Sequence, residues 1–275
     1  MGCAMGEVEI PEAVTIQQQA PPWRRYVALG DSFTEGMNDL GPDGRLRGWA
    51  DRLAEAIDER QPGLRYANLA VRGAKVSDVV TRQLPRAVGL GPDLTTVAIG
   101  VNDMLRPRFS LTAAVTGVET TVAAMRAAGS EVLLVAFGDP RRRSRALGSI
   151  AERIRHYDDH LHRIANRFDA KIVDYWGAQC FDDDRLWSPD RLHLSSLGHE
   201  YAARAGLDAL GLGDSSWRLP LPDTLPATPF LHRRLDDARW LVRDVTPWAT
   251  RRILRKSYPH RPRRPELEPL RDRAR

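Results

Sequence analysis

From residue 22 onward, apolar runs and helical repeats alternate along the chain. The run at 25–30 (RYVALG) is continuous enough to predict a buried strand, and 48–60 (GWADRLAEAIDER) gathers its apolar positions on one helical face. The pairing recurs four more times. Strands are expected at 64–71, 94–100, 131–138 and 170–176. Helices are expected at 77–88 from the N-cap candidate Ser77, at 111–129 closed by Gly129, at 149–168 and at 195–210. Strands apolar throughout and spaced by helices predict an α/β fold: a five-stranded parallel sheet covered on both faces. In such sheets the functional side chains stand on loops beyond the carboxyl ends of the strands.

The flanks break this rhythm. Residues 1–22 end in Gln17-Gln18-Gln19-Ala20-Pro21-Pro22 and read as a disordered leader, 23–210 as the folded domain, and 211–275 as a Pro/Arg-rich extension. Charge sharpens the division. The chain carries a formal +5, yet residues 1–210 hold 26 Lys/Arg against 28 Asp/Glu while 211–275 hold 15 against 8. The basic character belongs to the extension. Its Trp240 and Trp248 suit either helices broken at Pro247 that pack back, Trp inward and Arg outward, or contact with an anionic membrane or nucleic acid. Cys3 and Cys180 make no disulfide framework, no apolar run of 18 residues occurs, and the N-terminus lacks the basic and apolar parts of a signal peptide. The expectation is a cytoplasmic protein.

Each strand end carries chemistry. Gly30-Asp31-Ser32-Phe33-Thr34-Glu35-Gly36 follows the first strand, Arg72-Gly73-Ala74 the second and Gly100-Val101-Asn102-Asp103 the third; Ser188-Pro189-Asp190-Arg191-Leu192-His193 comes after the fifth. These are the parts of an acyl-transfer site. Ser32 is a nucleophile once a base takes its proton, His193 is the candidate base, and Asp190 can fix the tautomer of its ring. The Ser32 and Gly73 backbone amides and the Asn102 side-chain amide are candidate oxyanion donors. Plainer readings exist. Asp31-Ser32 could cap a helix, Gly73 could serve a turn, Asn102-Asp103 could cap the next helix, and Asp190 with His193 could be a surface pair.

Taken together, GDSFTEG, Gly73, GVND and DRLH resemble the four blocks of the SGNH hydrolases, the GDSL-type esterases and lipases, over roughly residues 25–210. The resemblance implies a flavodoxin-like three-layer α/β/α fold and a serine esterase acting through an acyl-enzyme without metal or cofactor. It carries the triad onto Ser32, Asp190 and His193, and the oxyanion hole onto Ser32, Gly73 and Asn102. The expected partner is a small-molecule ester, with no nucleic acid. An acyltransferase using the same site is the alternative. Ser195 departs from the pattern, since many relatives have Asn there. The G-x-S-x-G elbow of ordinary α/β-hydrolases is absent at Ser32.

Other clusters are read as structural. His156, Asp159 and His160 share a helical face that is taken as solvated rather than metal-binding. His199-Glu200 lacks the second histidine of a zinc motif, because position 203 is Ala203. The run Arg141-Arg142-Arg143 with Arg145 lies on the catalytic rim, where it could bind an anion but is read as a solvated loop. The acidic run Asp182-Asp183-Asp184 is read as solvated too.

Overall fold

The alternation along the chain is realised as a βαβ series. The computed structural model describes residues 22–142, 148–222 and 261–270; expectations for the leader, for Arg143 and Arg145, and for helices around Trp240 and Trp248 fall outside the described residues. Strand β1 (Arg25–Gly30) leads through the short helix α1 (Ser32–Glu35) and α2 (Trp49–Arg60) to β2 (Arg65–Asn68). Then come α3 (Val76–Asp78), a π-helical turn at Val79–Gln83, α4 (Leu84–Leu90), β3 (Leu94–Ala98), α5 (Val101–Met104) and α6 (Leu111–Ala127). The series closes with β4 (Glu131–Ala136), α7 (Gly148–Phe168), β5 (Lys171–Asp174) and α8 (Ser196–Ala209), and β6 (Arg264–Pro269) returns from the extension.

Side chains alternate across the sheet and build a core on each face. Tyr26 and Ala28 of β1 point to Trp49, Leu53 and Ile57 of α2 and Ala202 and Ala205 of α8. Val27 and Leu29 point the other way, to Val79, Val118 and Val122, and to Ile154 and Tyr157 of α7. All four β1 residues are fully buried, which is why this strand reads as an unbroken apolar run. The result is the three-layer α/β/α architecture.

The sheet has six strands, not five, in the order β5-β4-β3-β1-β2-β6. Strands β1 to β5 run parallel, and β6 pairs antiparallel with β2, Tyr66 opposite Glu268 and Asn68 opposite Arg264. The stretch around β6 looks disordered in sequence because Pro265 and Pro269 interrupt it and charges dominate it. Edge strands tolerate proline, since their outer face needs no donor. A smaller correction concerns α3. It starts at Val76 rather than after Ser77, because Asp78 accepts from Lys75 N (3.0 Å) and Asp103 accepts from Val76 N (3.1 Å). The π turn comes just before Pro85, which has no N–H to continue a regular helix. Among the described residues no helix is long and apolar enough to cross a membrane.

Candidate active site

The strand order reverses at β1, which lies between β2 and β3, so the carboxyl ends of β1 and β3 are the switch point of the sheet, where folds of this kind carry their sites. Gly30 closes β1 where a Cβ would stand 2.5 Å from Ala98 O, so only glycine lets the two strand ends approach. The buried Gln83 side chain holds Gly30 from both sides, accepting from its N–H (2.9 Å) and donating to its carbonyl (2.8 Å). Asp31 then caps α1 by accepting from Phe33 N (3.1 Å), and its other oxygen accepts from Asn102 Nδ2 (2.8 Å). Capping and a cross-loop tie therefore coexist in one carboxylate. Ser32 is the first residue of α1 and is half-buried.

From the opposite side, the turn after Ser188 brings His193 to Ser32. Its Nε2 lies 2.9 Å from Ser32 Oγ, and its Nδ1 lies 2.8 Å from Asp190 Oδ2. Asp190 is bonded on both oxygens: Oδ1 accepts from Leu192 N and His193 N (3.0 Å each), and Oδ2 also accepts from Asn38 Nδ2 (2.9 Å). Burial pushes this carboxyl up, but the bond and charge of His193 and the two backbone amides outweigh it and hold it at about 2. An ionised Asp190 can only accept, so Nδ1 keeps the ring hydrogen and donates it in this bond, which leaves Nε2 as the acceptor facing the Ser32 hydroxyl. The structure thus brings Ser32, His193 and Asp190 into one hydrogen-bonded line, and the surface-pair reading of Asp190 and His193 does not describe them.

The other oxyanion candidates, Gly73 and Asn102, stand on the loops after β2 and β3. Gly73 is exposed, at φ +77, a conformation that favours glycine. Its loop is fixed on either side: Ala74 N donates to Val71 O (3.0 Å), and Arg72 N donates to the buried Glu35 (2.8 Å), which also takes the Arg72 guanidinium in a fork. Asn102 is buried in α5, its Nδ2 donating to Asp31 and to Ala74 O (3.0 Å). Gly100 lets its turn form, since the Tyr157 ring occupies the space of a side chain there and Tyr157 Oη donates to Ile99 O (2.8 Å). The neighbour Asp103 caps α3, with its carboxyl raised by burial. Next to these loops a cleft of about 640 Å³ opens between α3 and α6, walled by Lys75, Val76, Asp103, Phe109 and Gly117 rather than by Ser32 or His193.

Two contributors went unread in the sequence: Gln83 and Asn38. Asn38 adopts φ +70 on the loop 36–48, whose two feet pack glycine on glycine; a Cβ on Gly48 would stand 2.3 Å from Gly36 Cα. A left-handed Asn is a usual turn residue, so its position signals a turn but not the carboxylate it meets 152 residues away. His199 is fully buried between this loop and α2. Its Nδ1 accepts from Trp49 N (3.1 Å), satisfying a helix-start amide, and its Nε2 donates to Met37 O (3.2 Å). Desolvation lowers it to about 4, so it is a neutral packing group. Ser195 caps α8, accepting from Gly198 N (3.1 Å) and donating to Arg185 O (2.6 Å).

The remaining clusters are structural. His156 is exposed on α7 beside Arg155, and His160 abuts Arg163. Among the described residues no group of three His, Cys, Asp or Glu could hold a metal. Arg141 pairs with Asp139 and Asp183 with Arg185, each within its own segment, and Arg142 with Asp182 joins the two runs, so these charges are paired rather than standing wholly in solvent.

Comparison with known proteins places the fold and the family. Among solved structures, Axe2, an acetylxylan esterase from Geobacillus stearothermophilus, superposes with a TM-score of 0.59 at 20% identity, covering 70% of this chain and 97% of its own. LAE5, an alpha/beta hydrolase from the metagenome of Lake Arreo, Spain, superposes at 0.58 with 25% identity and the same coverage. No curated protein matches in sequence. The GDSL-like Lipase/Acylhydrolase family matches over residues 28–201, which span Ser32, Gly73, Asn102, Asp190 and His193 but not β6. The chain belongs to this GDSL-like lipase/acylhydrolase family and is an SGNH-type hydrolase of carboxylic esters.

Proposed function

We propose that the chain hydrolyses a small-molecule carboxylic ester through an acyl-enzyme on Ser32. The observation that carries this reading is the pair of bonds from Ser32 Oγ to His193 (2.9 Å) and from His193 to Asp190 (2.8 Å). Ser32 Oγ attacks the carbonyl carbon as its proton passes to His193 Nε2, and the alcohol leaves with that proton. Water then gives its proton to the same nitrogen as it attacks the acyl carbon, and Ser32 departs with the proton as the acid is released. Asp190, held ionised, stabilises the imidazolium that forms in each half. The Ser32 and Gly73 amides and Asn102 Nδ2 receive the negative charge on the carbonyl oxygen. Asn102 already bonds Ala74 O, and exchanging that carbonyl for an oxyanion is favourable because a charged acceptor binds about twice as strongly. That catalytic mutants of Axe2 replace a serine, an aspartate and a histidine supports the same three roles here.

The test is Ser32→Ala with p-nitrophenyl acetate. Turnover should fall by roughly three orders of magnitude or more while the thermal melt stays in place. A variant retaining a tenth of wild-type kcat would overturn the assignment of Ser32.

A further inference from the structure

Arg263 of the extension reaches loop 36–48. Arg263, just ahead of β6, lies outside the family match at 28–201, yet its guanidinium reaches the loop that carries Asn38. Nη1 donates to Glu35 O (3.0 Å) at one foot of loop 36–48, and Nη2 donates to Leu46 O (3.1 Å) near the other. A single planar group thus spans both feet of a 36–48 loop already closed by the Gly36–Gly48 contact. Inside the loop Asp39 N donates to Gly36 O (3.2 Å) and Arg47 N to Asp39 O (2.8 Å), while Asn38 points out to Asp190 (2.9 Å). Arg263 is itself anchored. Arg264 is buried against Asp51 (3.7 Å) and over the Tyr66 ring, and β6 is tied down where Arg65 Nη2 donates to Leu267 O (2.7 Å) and Arg86 Nε to Pro265 O (2.9 Å).

We propose that Arg263 is a positioning residue for catalysis: the extension docks as an edge strand so that Arg263 staples loop 36–48 in the shape that lets Asn38 orient Asp190. This rests on the triad reading above, and Ser32→Ala tests that reading separately. The chain of contacts runs Arg263, loop 36–48, Asn38, Asp190, His193, so removal of Arg263 acts on turnover and not on ester binding. Loss of the Asn38 bond to the Asp190 carboxylate, at an accessible position, lowers turnover by a factor of about ten.

The experiment is a double-mutant cycle in the full chain with p-nitrophenyl acetate: Arg263→Ala, Asn38→Ala and both together. Each single variant should lower kcat by about threefold to tenfold with KM changed less than twofold, and the double variant should be little worse than Asn38→Ala alone. Arg263→Lys, which can reach one carbonyl but not both, should fall between Arg263→Ala and wild type. Hydrogen exchange should quicken at the Asp39 and Arg47 amides in Arg263→Ala, with the amides of β1 and β3 unchanged. Fully multiplicative losses in the cycle, an unchanged kcat in Arg263→Ala, or unchanged exchange in the loop would each overturn the proposal. Should Arg263→Ala fail to fold, Arg263→Lys decides the question by the same cycle. A Lys variant coupled to Asn38 sustains the staple, and one that is not rejects it.

Discussion

Replacing Asp190 with asparagine changes one atom, and the geometry says what that atom does. Among the described residues the carboxylate accepts four bonds, from two backbone amides on Oδ1 and from His193 Nδ1 and Asn38 Nδ2 on Oδ2. An asparagine has one oxygen for these four donors. With its oxygen toward the Leu192 and His193 amides, its NH₂ faces His193 Nδ1, a donor against a donor. The imidazole escapes by moving its proton, so that Nδ1 accepts and Nε2 carries the hydrogen. Nε2–H then points at Ser32 Oγ, 2.9 Å away, and can no longer take its proton. Loss of an ordinary hydrogen bond would cost about tenfold, whereas a wrong tautomer costs about four orders of magnitude in kcat, or ~5.4 kcal/mol. The assay is initial-rate turnover of p-nitrophenyl acetate at pH 7.5 for wild type and Asp190→Asn, with thermal melts to confirm that both are folded. A folded Asp190→Asn enzyme within tenfold of wild type would refute the tautomer argument, because His193 would then hold its acceptor at Nε2 without Asp190.

Three further outcomes follow from buried charge. Arg264→Leu takes from Asp51, 1% exposed, the nearer and more strongly acting of its two arginines, and should cost about 3 kcal/mol in a urea melt. Adding Asp51→Leu should restore most of that loss, and a single variant within 1 kcal/mol of wild type would show that the pair carries nothing. Burial, with the charges of Asp174 and Asp159 added, raises Asp158 from 3.8 to about 8. The native state therefore holds a proton that the unfolded chain gives up between those values, and this contribution to stability declines as pH rises through 8. Asp158→Asn lacks that slope and should gain on wild type from pH 5 to pH 8.5; parallel stability curves would count against a neutral Asp158. His199 has the opposite sign. Its pKa falls from 6.5 to about 4 on burial, so the unfolded state binds the extra proton and stability drops as pH falls from 6.5 through 4. His199→Asn should flatten that limb, and an unaltered acid limb would rule out His199 as its source.

Much of the fold is legible in the sequence because its signals are local. A strand buried on both faces must be apolar at every position, as in β1, and an amphipathic helix repeats within a few residues, as in α2. The candidate site is legible in the same way. Short blocks place Ser32, Asn102 and His193 after strands or on one tight turn, and a parallel sheet sends all its carboxyl ends to one rim. Legibility stopped where function depends on contacts without a local pattern. Gln83 looks like one more polar helix residue, yet it holds both backbone groups of Gly30 across 53 positions. His199 looks like a fragment of a zinc motif, and only the fold reveals that it caps Trp49 N.

The extension is the sharpest case. A surplus of arginine with interspersed proline reads as solvated chain, since a charge leaves water only if something inside meets it. What meets Arg263 and Arg264 is two carbonyls and a buried carboxylate on loop 36–48, α1 and α2, more than 200 residues earlier. Burial raises Asp51 to about 6 even with both arginines beside it, so the carboxylate and the guanidinium each depend on the other to be tolerated there. That mutual dependence favours this register of β6 on β2: a slip of one residue would turn Arg264 away from Asp51 and draw Arg263 off the feet of the loop, even where Arg263 took its place at the carboxylate. Strand pairing alone, on an edge interrupted by Pro265 and Pro269, specifies register weakly. The ion pair supplies the specificity that the backbone ladder lacks, and the residue it fixes in place is the one that reaches the catalytic loop.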